Sequence, residues 1–218
     1  MDVSDYDELL PPHVHDTTPT RALEDTTAWR AVHASSFMMG GVTFVIGTCC
    51  LFFTSGATLS AASYSIGSLG FLLVDLQEFV TFFSSSSCSL LINIACSMIG
   101  SALYLGGSIA FFPQLGETGT LYGLWGFVLG SSFIAASQCV KVGRLLISMP
   151  PPPSVWTSIG VEAGALFGAL FFLVGTLLLQ YDADAPINAV LVTWLAGSLS
   201  FTVGGICLTH RHFVLKLT

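Results

Sequence analysis

The stretch Gly100-Ser101-Ala102-Leu103-Tyr104-Leu105-Gly106-Gly107-Ser108, answered by Phe127-Val128-Leu129-Gly130-Ser131, decides the fold. Its first half reads glycine, an aromatic four residues on, then glycine and a small hydroxyl. Its second half reads aromatic, two residues, then Gly-Ser. The same double phrase stands upstream as Gly40, Phe44, Gly47-Thr48, then Tyr64, Gly67-Ser68. Downstream it is Gly168, Phe172, Gly175-Thr176, then Trp194, Gly197-Ser198. Gly40 to Gly100 is 60 residues and Gly100 to Gly168 is 68. Self-similarity at such a spacing marks one supersecondary unit written several times.

Positions i, i+4 and i+7 share one stripe of a helix, so each glycine–aromatic–glycine set is a single helix face. Lipid offers no hydrophobic drive to bring helices together, so small residues that let backbones approach are the usual packing device. Gly40, Gly47, Gly67, Gly100, Gly107, Gly168, Gly175 and Gly197 are read as that device. Gly126 joins Gly130 on the fourth helix, and Gly164 joins Gly168 on the fifth. The aromatic between two glycines is expected to fill the gap on the facing helix. Thr48, Ser108 and Thr176 can donate to the i−4 carbonyl or to a neighbour.

Composition agrees. Of 218 residues, 53% are hydrophobic and 9% charged, against about 25% charged in a soluble domain, and the mean hydropathy is +0.79. A membrane helix needs about 20 mostly apolar residues, and the chain holds six such runs, at about 31–53, 59–80, 90–112, 121–142, 155–179 and 187–209. The predicted fold is an all-α membrane protein of six transmembrane helices, arranged as three repeated two-helix hairpins. The hairpin units cover about 30–80, 88–144 and 155–210 of a membrane domain at 29–213, behind an acidic polar tail at 1–28. Pro113 ends the third run, Pro150 to Pro153 form a stiff spacer, and Asp182, Asp184 and Pro186 mark the last turn.

The net charge is −7, and the first 25 residues hold much of the acid: Asp2, Asp5, Asp7, Glu8, Asp16, Glu24 and Asp25. Nucleic acid is not an expected partner, because a phosphate-binding surface needs clustered Lys and Arg. No apolar segment follows a basic start, so a cleavable secretory signal is not expected. Six crossings set Arg21, Arg30, Lys141, Arg144, Arg211 and Lys216 on one side and Glu117, Asp182 and Asp184 on the other. Basic residues gather in loops that are not translocated, so both termini are expected on the cytoplasmic, matrix or stromal side. An organelle inner membrane, the mitochondrial one slightly favoured, and the plasma membrane both fit.

At these residues the chain resembles the YrhK-like family of small membrane hairpin proteins. The middle unit matches best, with Asn93, Gly100-Ser101, Tyr104, Gly107-Ser108, Phe127 and Gly130-Ser131. His33 and Val161 stand where the first and third units would carry the asparagine. The resemblance covers about residues 30 to 210. It implies the hairpin fold and no activity.

Chemistry is sparse in the text. Asp75 and Glu78 are expected near the interface, within reach of water, and Glu117 in a turn. Glu162 lies at the depth of Lys141 and Arg144, so an interfacial ion pair is expected among those three. His33, His210 and His212 are read as interface residues, which does not favour a bis-histidine haem. The six cysteines form no CxxC pair and read as small hydrophobes. No nucleophile elbow, HExxH, phosphate loop or dinucleotide fingerprint is present. The expected function is a non-catalytic structural or accessory subunit of a larger membrane complex, acting through helix packing and docking of the tail. No cofactor or metal is expected, and the partners are the lipid bilayer and other membrane subunits. The alternative is a small channel or transporter.

Overall fold

In a computed structural model of the chain, residues 26–53, 55–83, 88–147, 153–181 and 186–215 are described. The tail up to residue 25, the 84–87 serine run, residues 150–152, Asp182, Asp184 and Lys216 lie outside them. Six α-helices follow one another: α1 (Thr27–Cys50), α2 (Ala57–Phe82), α3 (Cys88–Ala110), α4 (Gly116–Ile147), α5 (Pro153–Tyr181) and α6 (Ile187–Phe213). All are long and apolar enough to cross a membrane, and helices of this length and composition belong to an integral, multi-pass membrane protein.

The helices begin and end where backbone chemistry directs. Thr26 caps α1, its Oγ1 accepting from Trp29 N at 3.2 Å. Pro113 opens a short 3-10 turn, Pro113–Leu115, that leads straight into α4. The stretch between the third and fourth apolar runs is therefore mostly helix, with Gly116 at φ +62 making the bend. Glu117, expected in a turn, is in the first turn of α4, where a carboxylate faces the positive end of the helix dipole. At the other end of the chain α6 runs through His210, Arg211 and His212, which places these side chains on a helix rather than on a trailing segment.

Each helix packs on the next, and α6 packs back on α1, so the six form a closed ring. The glycines set the spacing. A Cβ on Gly67 would stand 2.5 Å from the Phe44 ring, and one on Gly47 3.1 Å from Tyr64. Gly130 and Gly107 meet Tyr104 and Phe127 at 2.7 and 3.0 Å, and Gly197 and Gly175 meet Phe172 and Trp194 at 2.8 and 2.6 Å. Gly40 lies under the Phe71 ring, Gly168 under Phe201, and Gly100 under Ile134. Gly126 faces the backbone of Gly107, and Gly164 that of Gly204. The ring is closed by a crossing that the repeated phrase does not mark: a Cβ on Gly41 of α1 would sit 2.7 Å from the backbone of Thr202 on α6.

These contacts turn six aromatic side chains inward at one level. Phe44, Tyr64, Tyr104, Phe127, Phe172 and Trp194 are all at most 5% exposed. Phe44 touches Tyr64, Tyr104, Phe127 and Phe172 with ring centroids 4.9 to 6.3 Å apart. Phe127 and Phe172 each touch Trp194. The hydroxyls of the same phrases knit this layer. Thr48 Oγ1 lies 2.7 Å from Tyr64 Oη and 3.1 Å from Ser198 Oγ. Tyr104 Oη lies 2.7 Å from Ser131 Oγ. Ser108 donates to the Tyr104 carbonyl and is 3.1 Å from Ser68 Oγ. In a low-dielectric interior such pairing removes the cost of burying each hydroxyl.

Candidate functional site

The ring interior is polar at one end only. His33 on α1 stands eleven residues before Phe44, about 16 Å along the helix axis from the aromatic layer at 1.5 Å per residue. Around it, at the end where α2 and α4 finish and α5 starts, Asp75, Glu78, Ser97, Ser101, Gln138, Lys141, Glu162 and Arg211 line a cavity of about 40 Å³. Every one of the six helices contributes a polar group. Phe37, Phe71, Ile134 and Phe201 line the same cavity, and Phe71 touches both Phe37 and Phe201.

Ion pairs organise the chamber. Lys141 Nζ lies 3.1 Å from Glu78 Oε2 and 3.8 Å from Glu162 Oε2. Each of the three side chains keeps under a fifth of its surface exposed. Arg144 donates to Ser89 Oγ at 2.6 Å. Glu78 also faces His33, whose Nε2 is 3.5 Å from Oε1. His33 Nδ1 in turn is 3.0 Å from His212 Nε2. Both histidines are 2% exposed, so the expectation that they stand at the interface is corrected. They are near the helix ends in depth, but they face the ring interior. Trp29 stacks on His33 with centroids 4.6 Å apart and donates to Thr81 Oγ1 at 3.1 Å, covering the pair from the outside.

Asp75 is also corrected. Its position in the sequence predicts contact with water, yet it is 6% exposed and accepts a hydrogen bond from Ser101 of α3. Its short side chain cannot snorkel as a lysine does. Asn93 is buried as well. It donates to the Ser137 carbonyl at 3.0 Å while Ser137 donates back to the Asn93 carbonyl at 3.1 Å, which clamps α3 to α4. His33, at the matching position of α1, instead bonds across to His212 of α6 and faces Glu78 of α2.

Among the described residues, no group of three His, Cys, Asp or Glu is gathered so that it could hold a metal ion. At the opposite end a second cavity of about 230 Å³ is lined mainly by apolar groups, Leu51, Phe111, Leu179, Ile187 and Leu191 among them, with Tyr64 and Trp194 at its inner wall. The two cavities are on opposite sides of the aromatic layer. Compared with known proteins, the chain matches no family model, no curated protein and no solved structure.

Chemically, the chamber can hold charge and hydrogen-bond small polar species. Asp75, Glu78 and Glu162 bring three carboxylates, and Lys141 and Arg211 bring two fixed cations. Ionisable groups at membrane depth are costly and usually functional. The sequence offered Glu162 and Lys141 by their common depth. It gave no sign that Glu78 reaches Lys141 across the ring, because that contact depends on which way α2 and α4 face.

Proposed function

We propose that this protein is a non-catalytic structural or accessory subunit of a larger membrane complex, built as three copies of one two-helix hairpin. The observation that carries this reading is the layer of six buried aromatic rings in mutual contact between the two cavities, which argues against an open solute path from one end to the other. The reciprocal contacts support the repeat: in each pair of helices the aromatic of one covers the glycine of the other. A ring so joined is a rigid block, suited to bordering other membrane chains. The resemblance to YrhK-like hairpins is kept as part of this reading, as is the docking of the acidic tail on a partner.

Mild-detergent extraction from the native membrane tests it. Other membrane chains should co-migrate in fixed stoichiometry, and deletion of residues 1–25 should weaken that association without lowering the thermal stability of the bundle. A lone monomer whose behaviour is unchanged by the deletion would refute the reading in favour of the channel or transporter.

Sidedness follows from the same account. The charged chamber and both termini belong on the cytoplasmic, matrix or stromal face, and the turn at Gln114 on the other. In a cysteine-free background, Gln114→Cys and Val214→Cys should react with an impermeant thiol reagent from opposite sides. Reaction of both from one side would rule out this arrangement.

A further inference from the structure

We propose that the inner end of the charged chamber is a binding site for a small monovalent cation of sodium size, with Asp75 as its charged ligand and Gln138 as a neutral one. The first ground is charge. Glu78 and Glu162 share Lys141, and Arg211 lines the same cavity. Two fixed cations thus stand among three carboxylates. Asp75 makes no close ion pair with a Lys, Arg or His among the described residues and feels the shared Lys141 charge only from farther off. Three carboxylates against two fixed cations leave one buried negative charge in excess, which is costly to hold in a protein interior, so the site calls for a positive occupant.

The second ground is an unused acceptor. Gln138 is 5% exposed, lines the cavity, and its buried Oε1 has no hydrogen-bond partner. Buried carbonyl oxygens are nearly always satisfied, so this one marks a missing neighbour. The positions correspond: Asp75 is eleven residues after Tyr64, and Gln138 eleven after Phe127. On the equivalent count from Trp194 the third place is Gly205, which packs against the backbone of Met38 on α1 and supplies no third ligand.

The third ground is the donor set and size. Ser101 donates to Asp75 and Ser97 lines the same cavity, so the groups gathered here are oxygens, the ligands of hard cations. One carboxylate among neutral oxygens suits a single charge. Calcium sites gather more carboxylates, and magnesium demands near-octahedral geometry. A cavity of about 40 Å³ has room for an ion and one or two waters, since a water needs roughly 10–15 Å³. The aromatic layer closes the inner end, so the ion enters and leaves from the terminal side only.

Full-length protein in detergent should melt higher in sodium chloride than in N-methylglucamine chloride of equal ionic strength. The expected rise is at least about 3 °C, saturable with sodium, at neutral and alkaline pH. Asp75→Asn should abolish the response, and Gln138→Leu should raise the half-saturating sodium concentration about tenfold. Direct binding of radioactive sodium to the wild type, one ion per chain, should be lost in D75N even where that variant melts normally. Equal melting in the two salts, a sodium response that survives D75N, or a response to pH alone would overturn the site; the last outcome would mean that a proton occupies Asp75. None of these outcomes bears on whether the bundle has membrane partners.

Discussion

Replacing Lys141 with methionine is expected to lower the stability of the bundle by about 3–5 kcal/mol, the usual cost of stripping one partner from a buried ion pair. Lys141 is the only described cation within 4 Å of either Glu78 or Glu162 apart from His33. Methionine keeps the length and the apolar stem but leaves two carboxylates facing each other and Asp75 in one enclosed end. The thermal midpoint in detergent should fall by roughly 10 °C, taking about 2–4 °C per kcal/mol for a chain of this size. Adding Glu78→Gln and Glu162→Gln to Lys141→Met should restore most of the loss, because an uncharged, matched set is often as stable as the ionic one. A single variant that melts like the wild type would show that the chamber is wet enough to screen these charges.

The second large effect is expected at Gly164. A Cβ there would fall 2.7 Å from Gly204 N and 2.8 Å from the Ser200 carbonyl oxygen, so no side-chain rotation relieves the clash, and α5 and α6 must part. Gly164→Leu should cost about 1–3 kcal/mol, the range for overpacking a well-filled interior. Gly106 is the control. It belongs to the organising stretch itself, yet a Cβ at Gly106 meets nothing within 4 Å, and Gly106→Leu should stay within about 0.5 kcal/mol of wild type. Melting curves of the two variants in the same detergent check the pair. Equal losses would mean that close approach at the repeated glycines does not hold the bundle.

Gly106 and Gly107 show what the text of the chain could and could not tell. The spacing of Gly100, Tyr104 and Gly107 picks out one packing face, and the six apolar runs give the six helices. Closure of the ring does not follow, because the Gly41–Thr202 crossing joins residues 161 positions apart and lies outside the repeated phrase. The chamber was half legible. Depth along a helix can be counted from the sequence, and counting brought Glu162 level with Lys141. Rotation about the helix axis cannot be counted where nearly every neighbour is apolar. That is why Asp75, His33 and His212 read as interface groups although they point inward. His33 and His212 are 179 residues apart, and nothing local to either hints at the other. The helix ends differed for a simpler reason: polar terminal turns such as Gly116–Thr120 and His210–Phe213 carry too little apolar signal to stand out from loops, yet their backbones continue the hydrogen-bond ladder.

A role by contact requires that the buried rings of Phe44, Tyr64, Tyr104, Phe127, Phe172 and Trp194 seal the axis of the bundle. The most direct test is ion efflux from liposomes that carry the purified full-length protein. With potassium or proton gradients across the membrane, vesicles with the protein should leak no faster than protein-free vesicles. Efflux that rises in proportion to the number of protein molecules per vesicle would contradict the sealed axis and, with it, a role by contact alone.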